Sequence, residues 1–148
     1  MKIISHRAYV AGEDPHLENH PDAIQALLDT GLDVEIDVWL IDGVYYLGHD
    51  GPKYEIRENF LKQGALWCHA KNISALEQML ASDIHCFWHQ EDDYTLTSRG
   101  YIWVYPGKET SGKNSVLVLP EKFPNIGWEK YDFICTDHVN DYLDKITT

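Results

Sequence analysis

The stretch Val34-Glu35-Ile36-Asp37-Val38-Trp39 decides how this chain folds, because its apolar and charged side chains alternate with the period of a β-strand. Alternation places Glu35 and Asp37 on one face and the apolar residues on the other, with the two carboxylates about 7 Å apart along the backbone. On a half-exposed strand this pair needs no further explanation. On a strand buried on both faces, two like charges need a partner, and a divalent cation supplies one. Burial of the strand decides between these interpretations.

Short apolar runs recur on both sides of this stretch and are strand candidates. They start near residues 2, 33, 66, 84, 101, 115 and 132. Helical spacing of apolar residues predicts helices over Pro21 to Thr30, over Ser74 to about Ala81 with Ser74 as the cap, and over His138 to Ile146. The Asp42-Gly43 pair between two strand-like runs predicts a hairpin turn.

The alternation of strands and helices predicts a parallel sheet, either open and doubly wound or closed as a barrel. The first strand starts are separated by about 30 residues, which is enough for a crossover helix. The later starts are separated by 14 to 18 residues, so strands joined by loops or single turns are expected there. Because strands such as 101–105 and 116–119 are apolar on both faces, we expect a partner subunit to cover them in a homo-oligomer.

Composition limits the class of protein. The 148 residues suit a single domain over 1–148, and the 44% hydrophobic content, with 5 Trp, 9 Tyr and 4 Phe, excludes a disordered chain. The net charge of −12 argues against nucleic acid and anionic membrane surfaces as partners. The cysteines Cys68, Cys86 and Cys135 lie in apolar runs without metal-type spacing, which predicts buried thiols and a cytoplasmic, reducing compartment. No apolar run is long enough to predict a membrane span.

Residues suited to acid–base and phosphate chemistry follow the ends of predicted strands. His6-Arg7 ends the first strand, His49 follows the hairpin, and His69 and Lys71 share a face at the end of the third long run. Taken singly, a histidine or lysine at a strand end is more often structural. Two histidines beside a carboxylate pair nevertheless suit proton transfer near neutral pH, and the arginine fork matches phosphate geometry.

In this order the residues resemble the glycerophosphodiester phosphodiesterase family, phospholipase C-like phosphodiesterases that adopt TIM barrels. The resemblance is densest over residues 3–71 and weak over residues 72–131. The family's His-Arg, Glu-Asn, Glu-x-Asp, Asp-Gly, His-Asp and Thr-Asp motifs are matched by His6-Arg7, Glu18-Asn19, Glu35-Ile36-Asp37, Asp42-Gly43, His49-Asp50 and Thr136-Asp137.

This resemblance implies a reduced TIM-type (β/α) barrel of the phospholipase C-like phosphodiesterase fold, with few helices in its second half. His69 stands where the family usually has a glutamate ligand, which shifts the expected ion from Mg²⁺ or Ca²⁺ toward Mn²⁺ or Zn²⁺. The implied site consists of His6 and His49 as catalytic residues, Arg7 and Lys71 as phosphate-binding residues, and Glu35 and Asp37 as metal ligands. Three alternatives stay open for the further ligand, namely His69 itself, a nearby group in its place, or loss of metal binding.

The resemblance further implies metal-dependent hydrolysis of a small anionic phosphodiester, such as a glycerophosphodiester, by histidine acid–base catalysis. Two alternatives stay open, namely a catalytically silent module that binds a phosphate ligand and a metal-dependent lyase that releases a cyclic phosphate. Because the chain is acidic, binding an anion depends on the cation together with Arg7 and Lys71. His89, Trp103 and Tyr105 end later strands. They either line the mouth of the barrel or, as is more usual for aromatic residues in strands, belong to the core.

Overall fold

Ten β-strands and four short helices make up the computed structural model, which describes all residues from 1 to 148. The strands are β1 (Lys2–His6), β2 (Asp33–Ile41), β3 (Val44–Leu47), β4 (Tyr54–Ile56), β5 (Leu66–Ala70), β6 (Cys86–Phe87), β7 (Tyr94–Leu96), β8 (Ile102–Val104), β9 (Ser115–Val118) and β10 (Phe133–Thr136). The helices are α1 (Pro21–Asp29), α2 (Glu58–Leu61), α3 (Ile73–Ala81) and α4 (Val139–Thr147).

All ten strands belong to one mixed sheet. Parallel pairing runs in the order β6-β5-β2-β1-β10-β9-β8. Strands β3 and β4 continue antiparallel from the end of β2, and β7 pairs antiparallel with β8. Strands β6 and β8 are not paired with each other, so the sheet forms a half-barrel.

The predicted TIM-type barrel is therefore wrong. The sheet is mixed instead of entirely parallel, and strands outnumber helices because β3, β4 and β7 form antiparallel pairs where a barrel would place crossover helices. Between β6 and β10 the chain contains no α-helix and only short 3-10 turns at Pro120–Lys122 and Trp128–Lys130. The physical reason is length, since these connections are shorter than a strand-helix-strand unit requires.

Most helices and the hairpin lie where local sequence patterns predict them. Helices α1 and α4 lie where the apolar spacing predicts them, and Ile41 pairs with Val44 across the predicted turn. The cap of α3 differs, because the Asn72 side chain accepts a hydrogen bond from Ala75 N at 3.1 Å. Asn72 also exchanges hydrogen bonds with the backbone of Leu40, so one side chain fixes the start of α3 against β2.

Strand β2 is buried on both faces. Val34, Ile36 and Val38 are fully buried in the core that includes residues of α1 and α3. On the other face, Glu35 and Asp37 retain 2% and 0% of their accessible surface. Burial thus decides against the half-exposed strand, and the carboxylate pair needs partners inside the protein.

The apolar strands of the second half are covered within the chain itself. Val104 and Leu117 pack in a core cluster with Tyr131 and with Tyr142 of α4. The segment after β9 and the last helix therefore cover the outer face for which a partner subunit was expected. The homo-oligomer stays an untested prediction, and Tyr94, Leu96 and Tyr105 of this half remain 46%, 66% and 39% exposed.

Two further expectations concern the cysteines and the membrane. Cys68, Cys86 and Cys135 are all free, buried thiols, as predicted. None of the four helices has both the length and the apolar character required to cross a bilayer.

His85, a buried histidine next to the Trp67 ring, makes the free energy of unfolding depend on pH. His85 precedes β6 and is 3% exposed, with its ring 4.4 Å from that of Trp67 and its Nε2 2.9 Å from Thr97 Oγ1. Burial, reinforced by the charge of Arg99, lowers the pKa of His85 to about 4 from an ordinary 6.5. Between about pH 4 and pH 6.5, the His85 side chain therefore binds a proton in the unfolded chain but not in the folded chain.

We expect the free energy of unfolding to fall by up to about 2 kcal/mol through His85 as the pH drops from about 6.5 toward 4. Urea unfolding at several pH values measures this slope, and His85→Gln should flatten it because an amide does not titrate. The matched control is His16→Gln, which changes an exposed histidine and should keep the wild-type slope. An unchanged slope in His85→Gln would contradict this account.

Candidate active site

Parallel register brings the predicted site residues together at the carboxyl ends of the central strands. His6 of β1 is paired with Glu35 of β2, and Asp37 is paired with His69 of β5. His6, Arg7, Glu35 and His69 line one cavity of about 160 Å³. These four residues, far apart in sequence, therefore form a single site.

Asp37 is the centre of this site. Its carboxylate accepts a hydrogen bond from Asn19 Nδ2 at 2.9 Å, and its backbone N–H donates to Asn19 Oδ1 at 2.9 Å. Arg7 Nε and His49 Nδ1 lie 3.4 and 3.6 Å from Oδ2, and His69 Nδ1 lies 3.2 Å from Oδ1. Burial would raise the pKa of Asp37, but the two imidazoles and the guanidinium hold that pKa well below its usual range. Asp37 is thus a buried, ionised carboxylate.

Glu35 has the opposite character. Its Oε1 is buried without a hydrogen-bond partner. Burial and the neighbouring charge of Asp37 raise the pKa of Glu35 well above its usual range, against the opposing charges of Arg7 and Lys71. The surroundings therefore push the pKa values of the two neighbouring carboxyls in opposite directions. Lys71 acts on Glu35 through its charge and does not line the cavity.

His69 has a fixed orientation. Its Nε2 lies 2.9 Å from the backbone oxygen of His89, which can only accept, so Nε2 carries the hydrogen. The ring is parallel to that of Phe87, with centroids 5.2 Å apart. Its Nδ1 lies 3.2 Å from Asp37 Oδ1, an oxygen without a hydrogen-bond donor, and in the neutral ring this nitrogen carries the lone pair that can bind a cation beside that oxygen. Metal-binding histidines are commonly held by such a bond from the other ring nitrogen.

The donor chemistry of this cluster suits a divalent cation. Glu35 and Asp37 each have a buried oxygen without a partner, and His69 supplies a nitrogen on the same side of Asp37. No group of three or more His, Cys, Asp or Glu side chains is already placed to hold a metal ion, however. The side chains of Glu35, Asp37 and His69 would therefore have to move closer together before all three could bind one ion.

His6 has a partner that the sequence did not assign. His6 Nδ1 lies 2.6 Å from Asp137 Oδ1, at the end of β10. Because a carboxylate accepts, Nδ1 donates and Nε2 is left free to accept a proton. Glu121 holds this aspartate in turn, since it accepts from Asp137 N at 3.0 Å and from Thr136 Oγ1 at 2.9 Å. The only sequence signal for Asp137 was the Thr-Asp motif of the last strand.

The turn after β1 directs Arg7 toward the site. Arg7 and Ala8 are both in the left-handed region, at φ 56° and 73°, which costs about 1 kcal/mol or more for each non-glycine residue. The turn is held by the Asn19 N–H, which donates to Arg7 O at 2.9 Å. Glu18 lies 3.5 Å from Arg7 Nη1 and accepts from Tyr9 Oη at 2.7 Å. The Glu18-Asn19 motif thus positions Arg7 and Asp37.

His49 is placed by the loop after β3. Gly48 has no room for a side chain, since a Cβ there would lie 2.0 Å from Gly51 O. Trp39 Nε1 donates to Gly48 O at 2.7 Å and fixes the same turn. His49 keeps 33% of its side chain exposed and does not line the cavity of His6. Its link to the site is the contact with Asp37.

Comparison with known proteins identifies no relative. No protein-family model, no curated protein and no solved structure matches this chain. The resemblance to phosphodiesterases therefore stays a prediction.

We expect Asn19→Ala to lower the free energy of unfolding by about 2 to 4 kcal/mol, because it leaves the carboxylate and the backbone N–H of Asp37 without their buried partner. Urea denaturation measures the change. Asn140→Ala, which alters an exposed asparagine of α4, is the control and should stay within about 0.5 kcal/mol of wild type. Equal stabilities of the two variants would show that Asn19 does not hold Asp37.

Proposed function

We propose that this protein hydrolyses a small phosphodiester by histidine acid–base catalysis with a divalent cation. The observation that carries this proposal is the cavity in which His6, oriented by Asp137, lies beside the Arg7 guanidinium. A histidine with a fixed tautomer is a proton acceptor, and a guanidinium matches the oxygens of a phosphate.

The proposed roles of the two histidines follow from their partners. His6 Nε2 takes the proton of the attacking water as the new phosphorus–oxygen bond forms, and Asp137 stabilises the resulting imidazolium. His49 gives a proton to the leaving alkoxide as the other phosphorus–oxygen bond breaks. His49 Nδ1 lies 3.6 Å from Asp37 Oδ2, which places its ring next to the carboxylate cluster for this role.

Arg7 and Lys71 hold the non-bridging oxygens of the phosphate in this proposal. They are also what lets an acidic protein with a net charge of −12 bind an anion. Arg7 lines the cavity, whereas Lys71 is half-buried after β5 and its charge reaches Glu35.

Glu35, Asp37 and His69 would hold the cation, which when bound neutralises negative charge on the phosphoryl oxygens. A nitrogen ligand favours Mn²⁺ or Zn²⁺ over Ca²⁺ and Mg²⁺. Binding of the ion also favours loss of the proton from Glu35, because a ligating carboxylate is ionised.

A binding module without catalysis is the second candidate, and one observation favours it. The three proposed ligands are not already placed as a metal site. Such a module would bind a phosphate ligand through Arg7 and Lys71 without catalysing its hydrolysis.

We also propose a cytoplasmic location, which the three free, buried thiols support.

We expect His6→Ala and His49→Ala each to lower turnover of a glycerophosphodiester by about 10²- to 10⁴-fold, because each removes one proton-transfer group. Release of the free alcohol, followed with each divalent cation in turn, measures the rate. His16→Ala removes an exposed histidine and should keep wild-type activity. If both site variants turn over at the wild-type rate, the mechanism is wrong, and if the wild-type chain binds phosphate without turnover, the binding module is correct.

We expect the wild-type chain to bind Mn²⁺ or Zn²⁺ in equilibrium dialysis and Glu35→Gln to bind it at least tenfold more weakly, because an amide is a poorer ligand than a carboxylate. Asp50→Asn, which changes an exposed carboxylate next to His49, is the matched control and should bind as wild type does. Equal binding by all three proteins would place the ion elsewhere.

A further inference from the structure

The cavity beside His6 has two chemically different walls. Charged and titratable side chains of β1, β2 and β5, with Arg7 after β1, form the first wall, which is the proposed phosphate site. The second wall, the aromatic wall, comes from the end of β6, from β8 and its following turn, and from the end of β9. Its residues are Phe87, Trp103, Tyr105, Pro106, Val118 and Leu119.

Aromatic rings give the second wall its shape. Phe87 and Trp103 are 2% and 6% exposed, and their ring centroids lie 4.6 Å apart with an interplanar angle of 31°. Tyr105 is 39% exposed and lies nearly parallel to His89, with centroids 5.5 Å apart. The wall therefore has a packed base and an accessible aromatic rim.

The composition of the lining limits what the aromatic wall can bind. The aromatic wall contains no Ser, Thr, Asn or Gln side chain and offers polar side-chain atoms only at Trp103 Nε1 and the Tyr105 hydroxyl, so an alcohol with several hydroxyl groups would leave most of them unpaired there. An organic cation is disfavoured because the Arg7 guanidinium and the proposed divalent cation already bring positive charge to this small cavity. A volume of about 160 Å³ is below the ~300–1,000 Å³ of pockets for drug-sized ligands, so the bound group is small.

We propose that one alcohol of the phosphodiester is a small aryl group, phenyl or benzyl, that packs against Phe87, Trp103 and Tyr105 while the phosphate faces Arg7. A flat ring buries its apolar faces against this wall and gains aromatic contacts that an alkyl group does not. This assignment rests on the proposed function, because it takes the phosphate to lie at the first wall. The aromatic strands of the second half then set specificity, and the strands of the first half supply the chemistry.

Phenylphosphonate and methylphosphonate test the assignment, because both present the same anionic group and differ in the ring. We expect the wild-type chain with Mn²⁺ to bind phenylphosphonate about tenfold more tightly in calorimetric titrations. Tyr105→Ala should reduce this preference at least threefold and leave methylphosphonate binding unchanged. Tyr94→Ala, which removes another exposed tyrosine outside the cavity, should keep the full preference.

Trp103→Leu provides a second variant, which keeps an apolar residue at the base of the wall and should also lower the preference. Equal affinities for the two phosphonates in the wild-type chain would overturn the aryl assignment while leaving phosphodiester hydrolysis intact. A preference that survives in both Tyr105→Ala and Trp103→Leu would likewise overturn it. Failure to bind either phosphonate, together with no turnover of any diester, would overturn the proposed function itself.

Discussion

The buried carboxylate of Asp37 is the constraint on which the rest of the site depends. A charge that is fully removed from water is stable only with several partners, and here they come from four separate segments. Arg7 follows β1, Asn19 precedes α1, His49 follows β3, and His69 lies in β5. Because each partner belongs to a different segment, satisfying Asp37 fixes the relative positions of the first half of the chain.

The same constraint explains the local strain. Two consecutive left-handed residues, Arg7 and Ala8, bring the guanidinium within 3.4 Å of Asp37. Such conformations persist only where the surroundings hold them, and the hydrogen bond from Asn19 N to Arg7 O does so here. Backbone strain of this kind is characteristic of functional sites.

Local sequence patterns predicted a large part of this structure. The alternation around Glu35 and Asp37 correctly indicated a strand, and the Asp42-Gly43 pair indicated its hairpin. Parallel pairing brought His6, Glu35 and His69 together as the motifs suggested. These features depend on residues close in sequence or on the common direction of neighbouring strands.

The remainder depends on contacts between distant segments, which a local pattern does not contain. The short strands β4 and β7 exist because β3 and β8 offer them partners, and the resulting half-barrel replaced the expected TIM-type barrel. The role of Asp137 was missed for the same reason, since its partner His6 lies 131 residues earlier in the chain. The cover over β9 likewise comes from the segment after it and from α4, where a partner subunit was expected.

Phosphorus NMR of the reaction product tests the central claim most directly, because it identifies both the bond that is broken and the fate of the phosphate. A small phosphodiester is incubated with the wild-type chain and Mn²⁺ in water enriched in oxygen-18. This account predicts a phosphomonoester that carries one oxygen from solvent. A cyclic phosphate that persists as the product would identify a lyase, and an unchanged diester would contradict phosphodiester cleavage altogether.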